Sequence, residues 1–273
     1  MMYEIKYRKL FLFILFTLMN TQAQAQEVAT ACGHHDYAPW HWEKNGKIVG
    51  VCPEITETLL KKLGVAVDFT YIGPWKRCQK NIEMGNVDIA PCLFKNPSRQ
   101  QYSRFTETPM FYGKQVVFVK KGKEFSFSTW ADLKGKTAVK FIGSSFGKEF
   151  DRFLADNVNV TNVSSNQQMF RMVEYNRGDF VPHGYRSGAA ILKALALEKN
   201  FSVLTPPIFE APLYFVVSKE SKYTHLIPQL ETLLQDPKYK PWVETLVEKY
   251  TDIYVDDYLK NIDKQVQMKQ QNN

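Results

Sequence analysis

Side chains suited to metal or acid–base chemistry are concentrated near the start of this chain. They are His34, His35, Asp36 and His41, with His183 much further along. Imidazole is a common metal ligand and changes its charge near neutral pH. Neighbouring residues of a β-strand point to opposite faces, so His34 and His35 are not expected to hold one ion together. The pattern predicts no metal centre, and no motif in the chain requires a cofactor.

Catalysis is a second use of such groups. His34, His183 and Glu54 have the side-chain types of a general acid and a general base. The chain has no Ser-His-Asp order, no nucleophile elbow and no phosphate-binding loop. We therefore predict a protein that is not an enzyme.

A third chemical feature is the segment Gly143-Ser144-Ser145, which precedes a predicted helix. Backbone amides at a helix N-terminus and serine hydroxyls both donate hydrogen bonds to anions. Ordinary capping also explains a serine at this position, and the two roles are compatible.

Residues 1–25 have the order of a secretory signal peptide. Basic residues precede ten apolar residues, 10–19, and Gln22-Ala23-Gln24-Ala25 supplies the small residues of a cleavage site. A membrane-spanning helix needs about 20 apolar residues, so this run is too short to be one. We predict cleavage after Ala25 and a periplasmic protein, in which disulfides can form.

The four cysteines are the next constraint on the fold. They are Cys32, Cys52, Cys78 and Cys92, all in the first third of the exported chain. No pair has CxxC spacing, so disulfides are favoured over zinc. Two disulfides fit the count, as does one disulfide with two buried thiols. The pairing remains open.

Composition predicts a folded chain with a substantial core. Of 273 residues, 44% are hydrophobic and 23% are charged, which excludes disorder, collagen and coiled coil. Removing residues 1–25 lowers the formal net charge from +7 to +5, because that segment holds three basic residues and one acidic residue. The lysines are scattered and form no arginine-rich stripe, so nucleic acid is not an expected partner.

Hydrophobic periodicity predicts alternating strands and helices, the pattern of an α/β fold with ligands at strand exits. The predicted strands are 27–32, 65–72, 87–93, 115–121, 136–141, 158–163, 179–182, 201–204 and 213–218. The predicted helices are 53–63, 75–84, 148–156, 166–177, 187–199, 225–234 and 241–250. The pattern restarts near residue 115, which predicts two α/β units.

Short motifs follow one another in a fixed order along the chain, beginning with Asp36-Tyr37-Ala38-Pro39-Trp40. The further segments are 45–51, 53–54, 85–90, 96–99, 104–112, 132–136 and 177–179. In this order they resemble the bacterial solute-binding proteins of family 3. The resemblance implies a two-lobed periplasmic binding protein fold of type II, each lobe a mostly parallel sheet flanked by helices, with the ligand cleft between the lobes. It implies a first lobe formed by residues 26–116 and 212–259, a second lobe formed by 117–211, and a polar tail, 260–273, expected to be frayed.

The resemblance also implies ligand contacts. Arg99 corresponds to an arginine that pairs with the solute carboxylate, for which a planar guanidinium is well suited. Tyr37 and Trp75 correspond to ring positions that enclose the solute. Pro91 and Phe94 line a strand exit, where Phe94 replaces a hydrogen-bonding Ser or Thr and predicts a less polar pocket.

Two positions depart from the amino-acid binders of that family. Gly184, between His183 and Tyr185, stands where those proteins keep an aspartate for the α-ammonium group, and His34 stands where they often keep an acid. An unpaired ammonium in a closed cleft would be costly. Either Glu54 or another acid substitutes, or the ligand is not an ordinary α-amino acid. We favour the second alternative, a carboxylate or a cation held against aromatic rings.

The function implied by the resemblance is capture of a small polar, carboxylate-bearing solute by hinge closure, followed by delivery to the permease of an ABC importer. Presentation of the ligand to a membrane sensor or chemoreceptor is an alternative on the same fold. A dehydratase-like enzyme is a less favoured one. The protein is expected to be a monomer.

Overall fold

The computed structural model describes residues 27–142 and 144–271, with side chains as far as residue 262. The predicted signal peptide and Gly143 lie outside the described residues. The strands are β1 (Val28–Thr30), β2 (Asp36–Tyr37), β3 (His41–Lys44), β4 (Lys47–Val49), β5 (Ala66–Asp68), β6 (Leu93–Phe94), β7 (Ser103–Phe105), β8 (Phe111–Lys120), β9 (Thr137–Phe141), β10 (Asn159–Val163), β11 (Phe180–Gly184), β12 (Phe201–Tyr214) and β13 (Val216–Ser218). The α-helices are α1 (Val51–Lys62), α2 (Trp75–Glu83), α3 (Pro97–Tyr102), α4 (Lys148–Asn157), α5 (Asn166–Glu174), α6 (Tyr185–Ala194), α7 (Ile227–Leu234) and α8 (Tyr239–Gln271).

One hydrophobic core is assembled from the two ends of the described chain. Ile55 and Leu59, one turn apart on α1, are buried on the same face, while the lysines at the end of α1 are exposed. They belong to the same cluster as Leu230 of α7 and Val243 and Leu246 of α8. We call the part of the molecule around this core the first lobe.

The second lobe is a sheet covered by helices on both faces. The parallel strands β9, β10 and β11 join the long strand β8, which runs antiparallel to β11. Side chains alternate between the two faces. Phe118 packs with Phe170 of α5 on one face, and Val117 belongs to the cluster of Phe150 and Leu154 of α4 on the other. The predicted α/β class and two-lobed fold are confirmed.

Two long antiparallel strands, β8 and β12, join the lobes. They lie inside a six-stranded sheet of order β10-β9-β11-β8-β12-β6, whose last strand belongs to the first lobe. The sheet is therefore mixed, where the resemblance implied mostly parallel sheets. The predicted strands 201–204 and 213–218 differ from the structure, since β12 continues from 201 to 214 with a shift of register between Leu204 and Phe209. Pro206 and Pro207 lie in this interval and have no N–H to donate to the ladder.

The segment predicted as strand 87–93 is largely irregular. Ile89 forms isolated bridges, and regular pairing resumes only at β6. Pro91 lacks an N–H group, and Cys92 has a φ of 63°, which is incompatible with an extended strand. This bend directs the chain from the first-lobe core toward the cleft.

The C-terminal helix α8 is much longer than the predicted helix 241–250. It continues through residues of the predicted polar tail to Gln271. The sequence from Lys260 onward contains no Gly or Pro to interrupt the helix and is rich in Lys and Gln, which favour it. Its first turns pack in the first-lobe core, whereas Tyr254 and Tyr258 pack against the second-lobe cluster that contains Phe170. Lys193 of α6 also donates to Asp252 at 2.7 Å. Across the residues placed by the structure, no helix is both long enough and apolar enough to cross a membrane.

Candidate functional site

Two disulfides brace the first-lobe side of the cleft. Cys32 bonds to Cys78, and Cys52 bonds to Cys92, so the predicted disulfides are confirmed and their pairing is defined. Cys32 lies two residues before His34, and Cys78 lies one helical turn after Trp75. The first disulfide therefore ties the segment that carries His34 to the helix that carries Trp75.

Tyr37 reaches from the first lobe to the second. A Cβ atom added to Gly184 would lie 3.2 Å from the Tyr37 hydroxyl oxygen and 3.5 Å from Gln115 Nε2. Gly184 is paired with Gln115 in the β11–β8 ladder, so both present one surface to the phenol. Burial raises the pKa of Tyr37, against the opposing influence of Gln115 and Ser187, so the hydroxyl stays protonated at neutral pH.

His34 lies at the centre of a group of rings. Its ring centroid is 5.9 Å from that of Trp75, 6.1 Å from that of Tyr37 and 6.3 Å from that of His41. The amide of Asp36 donates to His34 Nδ1 at 3.0 Å, which places the proton of the neutral imidazole on Nε2. Burial, assisted by His35, lowers the pKa of His34 to about 4, so the ring is uncharged at neutral pH.

The expectation that His34 and His35 point to opposite faces is wrong. Their rings stack, with centroids 5.1 Å apart and an interplanar angle of 7°. Strand β2 begins only at Asp36, so the alternation of an extended strand does not apply to the two histidines. Even so, no group of three or more potential metal ligands is present among the residues that the structure describes.

Arg99 lies next to this ring group, on the short helix α3. Its Nη1 donates to the carbonyl oxygen of Phe94 at 2.8 Å, and its guanidinium carbon lies 6.0 Å from the centroid of Trp75. Phe94 thus contacts Arg99 through its backbone. Burial lowers the pKa of Arg99, opposed by Tyr102, but a guanidinium remains charged throughout the physiological range. In the described part of the chain, no carboxylate lies within salt-bridge distance of Arg99.

The carboxylate nearest in sequence to these rings, that of Asp36, is held across the lobe boundary. Asn166 Nδ2, at the start of α5, donates to Asp36 Oδ2 at 3.0 Å. Burial raises the pKa of Asp36, while His35 and Asn166 act in the opposite direction. Asp36 and Asn166 therefore form a second contact between the lobes, beside that of Tyr37 and Gly184.

Three polar residues at this boundary were missed by the sequence reasoning: Gln115, Asn166 and Ser187. Gln115 is 5% exposed, Asn166 6% and Ser187 1%. The Ser187 hydroxyl has no hydrogen-bond partner within the described residues. One feature of the sequence could have indicated Gln115: it is a polar residue directly before the apolar run that begins at Val116. The alternation of side chains along β8 does not show which residues of other elements face Gln115.

Several predicted contacts lie apart from the ring group. His183 is on the same face of β11 as Val181 and packs against Phe170, with ring centroids 6.2 Å apart. Burial lowers its pKa to about 4. Tyr185 is 41% exposed and lines a separate cavity of about 500 Å³ between α6, β12 and α8. Pro91 is buried and lies next to Cys92 in the bend that precedes β6.

The predicted anion site at Ser144 and Ser145 is satisfied internally. The Ser144 hydroxyl donates to the carbonyl oxygen of Phe141 at 2.8 Å, and the Ser145 hydroxyl donates to the carboxylate of Asp151. The Phe146 amide donates to the same carboxylate at 3.0 Å. Asp151 thus occupies the hydrogen-bond donors that an external anion would use. Glu54 likewise lies elsewhere, accepting from Lys249 of α8.

Comparison with known proteins identifies the family. Residues 30–253 match the model of the bacterial extracellular solute-binding proteins, family 3. The chain therefore belongs to this family, as the order of its motifs predicts. A probable amino-acid-binding protein of Bacillus subtilis, YxeM, is 22% identical over 214 residues, which cover 78% of this chain and 79% of that protein.

Solved structures support the fold. An amino acid ABC transporter substrate-binding protein of Streptococcus pneumoniae, AbpA, bound to L-arginine, has a TM-score of 0.66 at 18% identity, over 85% of this chain and 98% of that chain. A histidine kinase sensor domain similar to periplasmic binding proteins also has a TM-score of 0.66, at 17% identity, over 83% of this chain and 97% of that chain. One fold thus serves binding proteins and sensor domains.

Proposed function

We propose that this protein is exported and encloses a small carboxylate-bearing solute, an amino acid or a related compound, which it delivers to the permease of an ABC importer. The observation that carries the proposal is a continuous row of side chains, Arg99, Trp75, His34 and Tyr37, ending against Gly184 of the other lobe. The row combines a cation that has no carboxylate partner among the described residues, a hydrogen-bond donor and ring surfaces. These are the groups that bind a carboxylate joined to an apolar body.

Hinge closure is the proposed mechanism. Residues 26–116 and 212–259 form one lobe in this proposal, and residues 117–211 form the other. A solute held by Arg99 in the first lobe stabilises the closed arrangement only if it also contacts the second lobe. Ser187, whose buried hydroxyl faces Tyr37, is the proposed second-lobe contact. Ligand binding therefore shifts the population toward the state in which Tyr37 lies against Gly184.

The relatives support an amino acid or a related compound as the solute, because YxeM is described as a probable amino-acid-binding protein. Delivery to an importer and presentation to a sensor require the same closed complex, so the fold does not separate them. Uptake of labelled ligand by cells with and without the gene distinguishes the two. We propose binding and no chemical reaction.

The test is an Arg99→Ala variant in a binding screen. A chain of residues 1–273 is expressed, and the purified protein is screened by thermal shift against amino acids and small carboxylates. A ligand at about 100 times its Kd adds about 2.7 kcal/mol of stability. Arg99→Ala is expected to weaken binding about 30-fold or more, equivalent to about 2 kcal/mol for a lost charge-assisted hydrogen bond.

The matched control is Arg104→Ala, an exposed arginine on β7. This variant should keep both the affinity and the melting temperature of the original protein. Small-angle scattering should show compaction on ligand addition in the original protein and in Arg104→Ala. Unchanged affinity in a folded Arg99→Ala protein would refute the assignment of Arg99.

A further inference from the structure

We infer, on the basis of the proposed function, that the solute is a carboxylate without a free ammonium group. The cleft side chains offer hydrogen-bond donors and a cation, and the carboxylate beside them is already engaged. An anionic solute of this kind matches the donors, whereas an α-amino acid brings a second charge that these side chains do not complement.

Three side chains of the row, those of Arg99, His34 and Tyr37, can donate hydrogen bonds to a solute. Arg99 is half-buried, carries a permanent positive charge and faces Trp75. His34 accepts the Asp36 amide through Nδ1, so its remaining ring nitrogen is an N–H donor. The Tyr37 phenol adds a hydroxyl donor at the other end of the row. All three groups favour a negatively charged or hydrogen-bond-accepting partner.

The carboxylate beside this row and two acids elsewhere in the protein already accept hydrogen bonds. Asp36 accepts from Asn166 across the lobe boundary. Glu54 accepts from Lys249, and Asp151 accepts from Ser145 and from the amide of Phe146. A solute ammonium group at Asp36 would have to share this carboxylate with Asn166, in a contact that links the lobes. A buried ammonium without a carboxylate partner would be strongly unfavourable.

Position 184 leaves little room for a side chain in the observed closure. Gly184 has φ −59° and ψ 129°, a conformation that any residue adopts. The backbone therefore does not require glycine at this position. A side chain here would instead press on Tyr37, because a Cβ atom would lie 3.2 Å from its hydroxyl oxygen and that group would have to shift.

Matched pairs of solutes test the inference directly. Each pair has one carbon skeleton with and without the α-amino group: leucine with 4-methylpentanoate, phenylalanine with 3-phenylpropanoate, and tryptophan with indole-3-propanoate. Isothermal titration of the original protein should give a Kd at least about tenfold lower for the amine-free member of any pair that binds. Equal or tighter binding of the amino acid would overturn the inference and leave the proposed function intact. If no carboxylate of either kind binds, both the inference and the proposed function fail.

A second variant reverses the preference. Tyr37→Phe combined with Gly184→Asp removes the hydroxyl and supplies a carboxylate at the lobe boundary. The ratio of amino-acid affinity to amine-free affinity should rise by about tenfold or more relative to Tyr37→Phe alone. Tyr37→Phe with Gly184→Asn is the matched control, since Asn has nearly the size of Asp and no charge. A rise of the same size in the control, or no rise with Asp, would contradict the inference.

Discussion

Asn166 donates to the carboxylate of Asp36 at 3.0 Å, and this hydrogen bond joins the two lobes. Asn166 is the first residue of α5, whose N-cap Ser165 accepts from the amide of Gln168. The cap fixes the start of the helix and with it the position of the Asn166 side chain. Asp36 lies on β2, next to Tyr37, so these two contacts across the cleft come from one short segment of the first lobe.

Loss of this contact should favour the open state. In Asn166→Ala, the Asp36 carboxylate loses a partner worth about 1.5–3 kcal/mol for a hydrogen bond to a charged group. We expect ligand affinity to fall about tenfold, because closure becomes less favourable. Titration calorimetry measures the affinity, and scattering measures the compactness. Asn159→Ala, at an exposed position of β10, is the control, and an equal loss there would show that the effect is not specific to the contact.

A methyl group at position 184 should also oppose closure. In Gly184→Ala, the new Cβ would lie 3.2 Å from the Tyr37 hydroxyl, so Tyr37 must shift. Weaker ligand binding is expected in this variant. Adding Tyr37→Phe should restore part of the lost affinity, because the hydroxyl that the new Cβ contacts is removed. A double-mutant cycle measured by titration should give a coupling energy of about 0.5 kcal/mol or more. Additive effects would show that the two residues do not meet in the bound state.

The Cys32–Cys78 disulfide should stabilise both the first lobe and the site. It closes a loop with a sequence separation of 46, and its removal as Cys32→Ala with Cys78→Ala should cost about 2–5 kcal/mol in unfolding free energy. Ligand affinity should fall as well, since the bond ties the His34 segment to the Trp75 helix. Removing the Cys52–Cys92 pair provides the comparison. Denaturant unfolding under oxidising conditions measures the stability change, and an unchanged midpoint would contradict the prediction.

Stability should decrease as the pH falls below about 6.5. Burial lowers the pKa of His34 to about 4, of His41 to about 3 and of His183 to about 4, from 6.5 in the unfolded chain. Between those values the unfolded state binds more protons than the folded state, so acid favours unfolding. Each such histidine contributes a slope of about 1.4 kcal/mol per pH unit in this window. The raised pKa of Asp36 acts in the opposite direction.

Chemical denaturation at several pH values between about 7 and about 5 measures this slope. His183→Gln should reduce this slope by about 1.4 kcal/mol per pH unit, the contribution of one proton. His225→Gln, at an exposed histidine, should leave the slope unchanged. If the slope is the same in all three proteins, the buried histidine is not the cause. His41→Gln is the second variant, because both ring nitrogens of His41 are buried without a partner in the described residues.

Much of the architecture follows from local sequence patterns. The apolar stripe of α1, the strand of β-branched residues at β10 and the helix beginning at Trp75 are each specified by residues close in sequence. Their order is sufficient to predict an α/β fold of two lobes, and the ordered motifs identify the family. Periodicity is a local property, and these elements form where their own side chains favour them.

Relationships between distant residues were decided only by the tertiary structure. The four cysteines allow three pairings, and only packing selects Cys32 with Cys78. His183 and Gly184 are adjacent, yet the strand turns His183 toward Phe170 and leaves Gly184 against Tyr37, almost 150 residues earlier. Sequence determined which kinds of residue this protein has for binding a solute. Which of them meet depends on how two lobes are brought together by packing, and no local pattern encodes that.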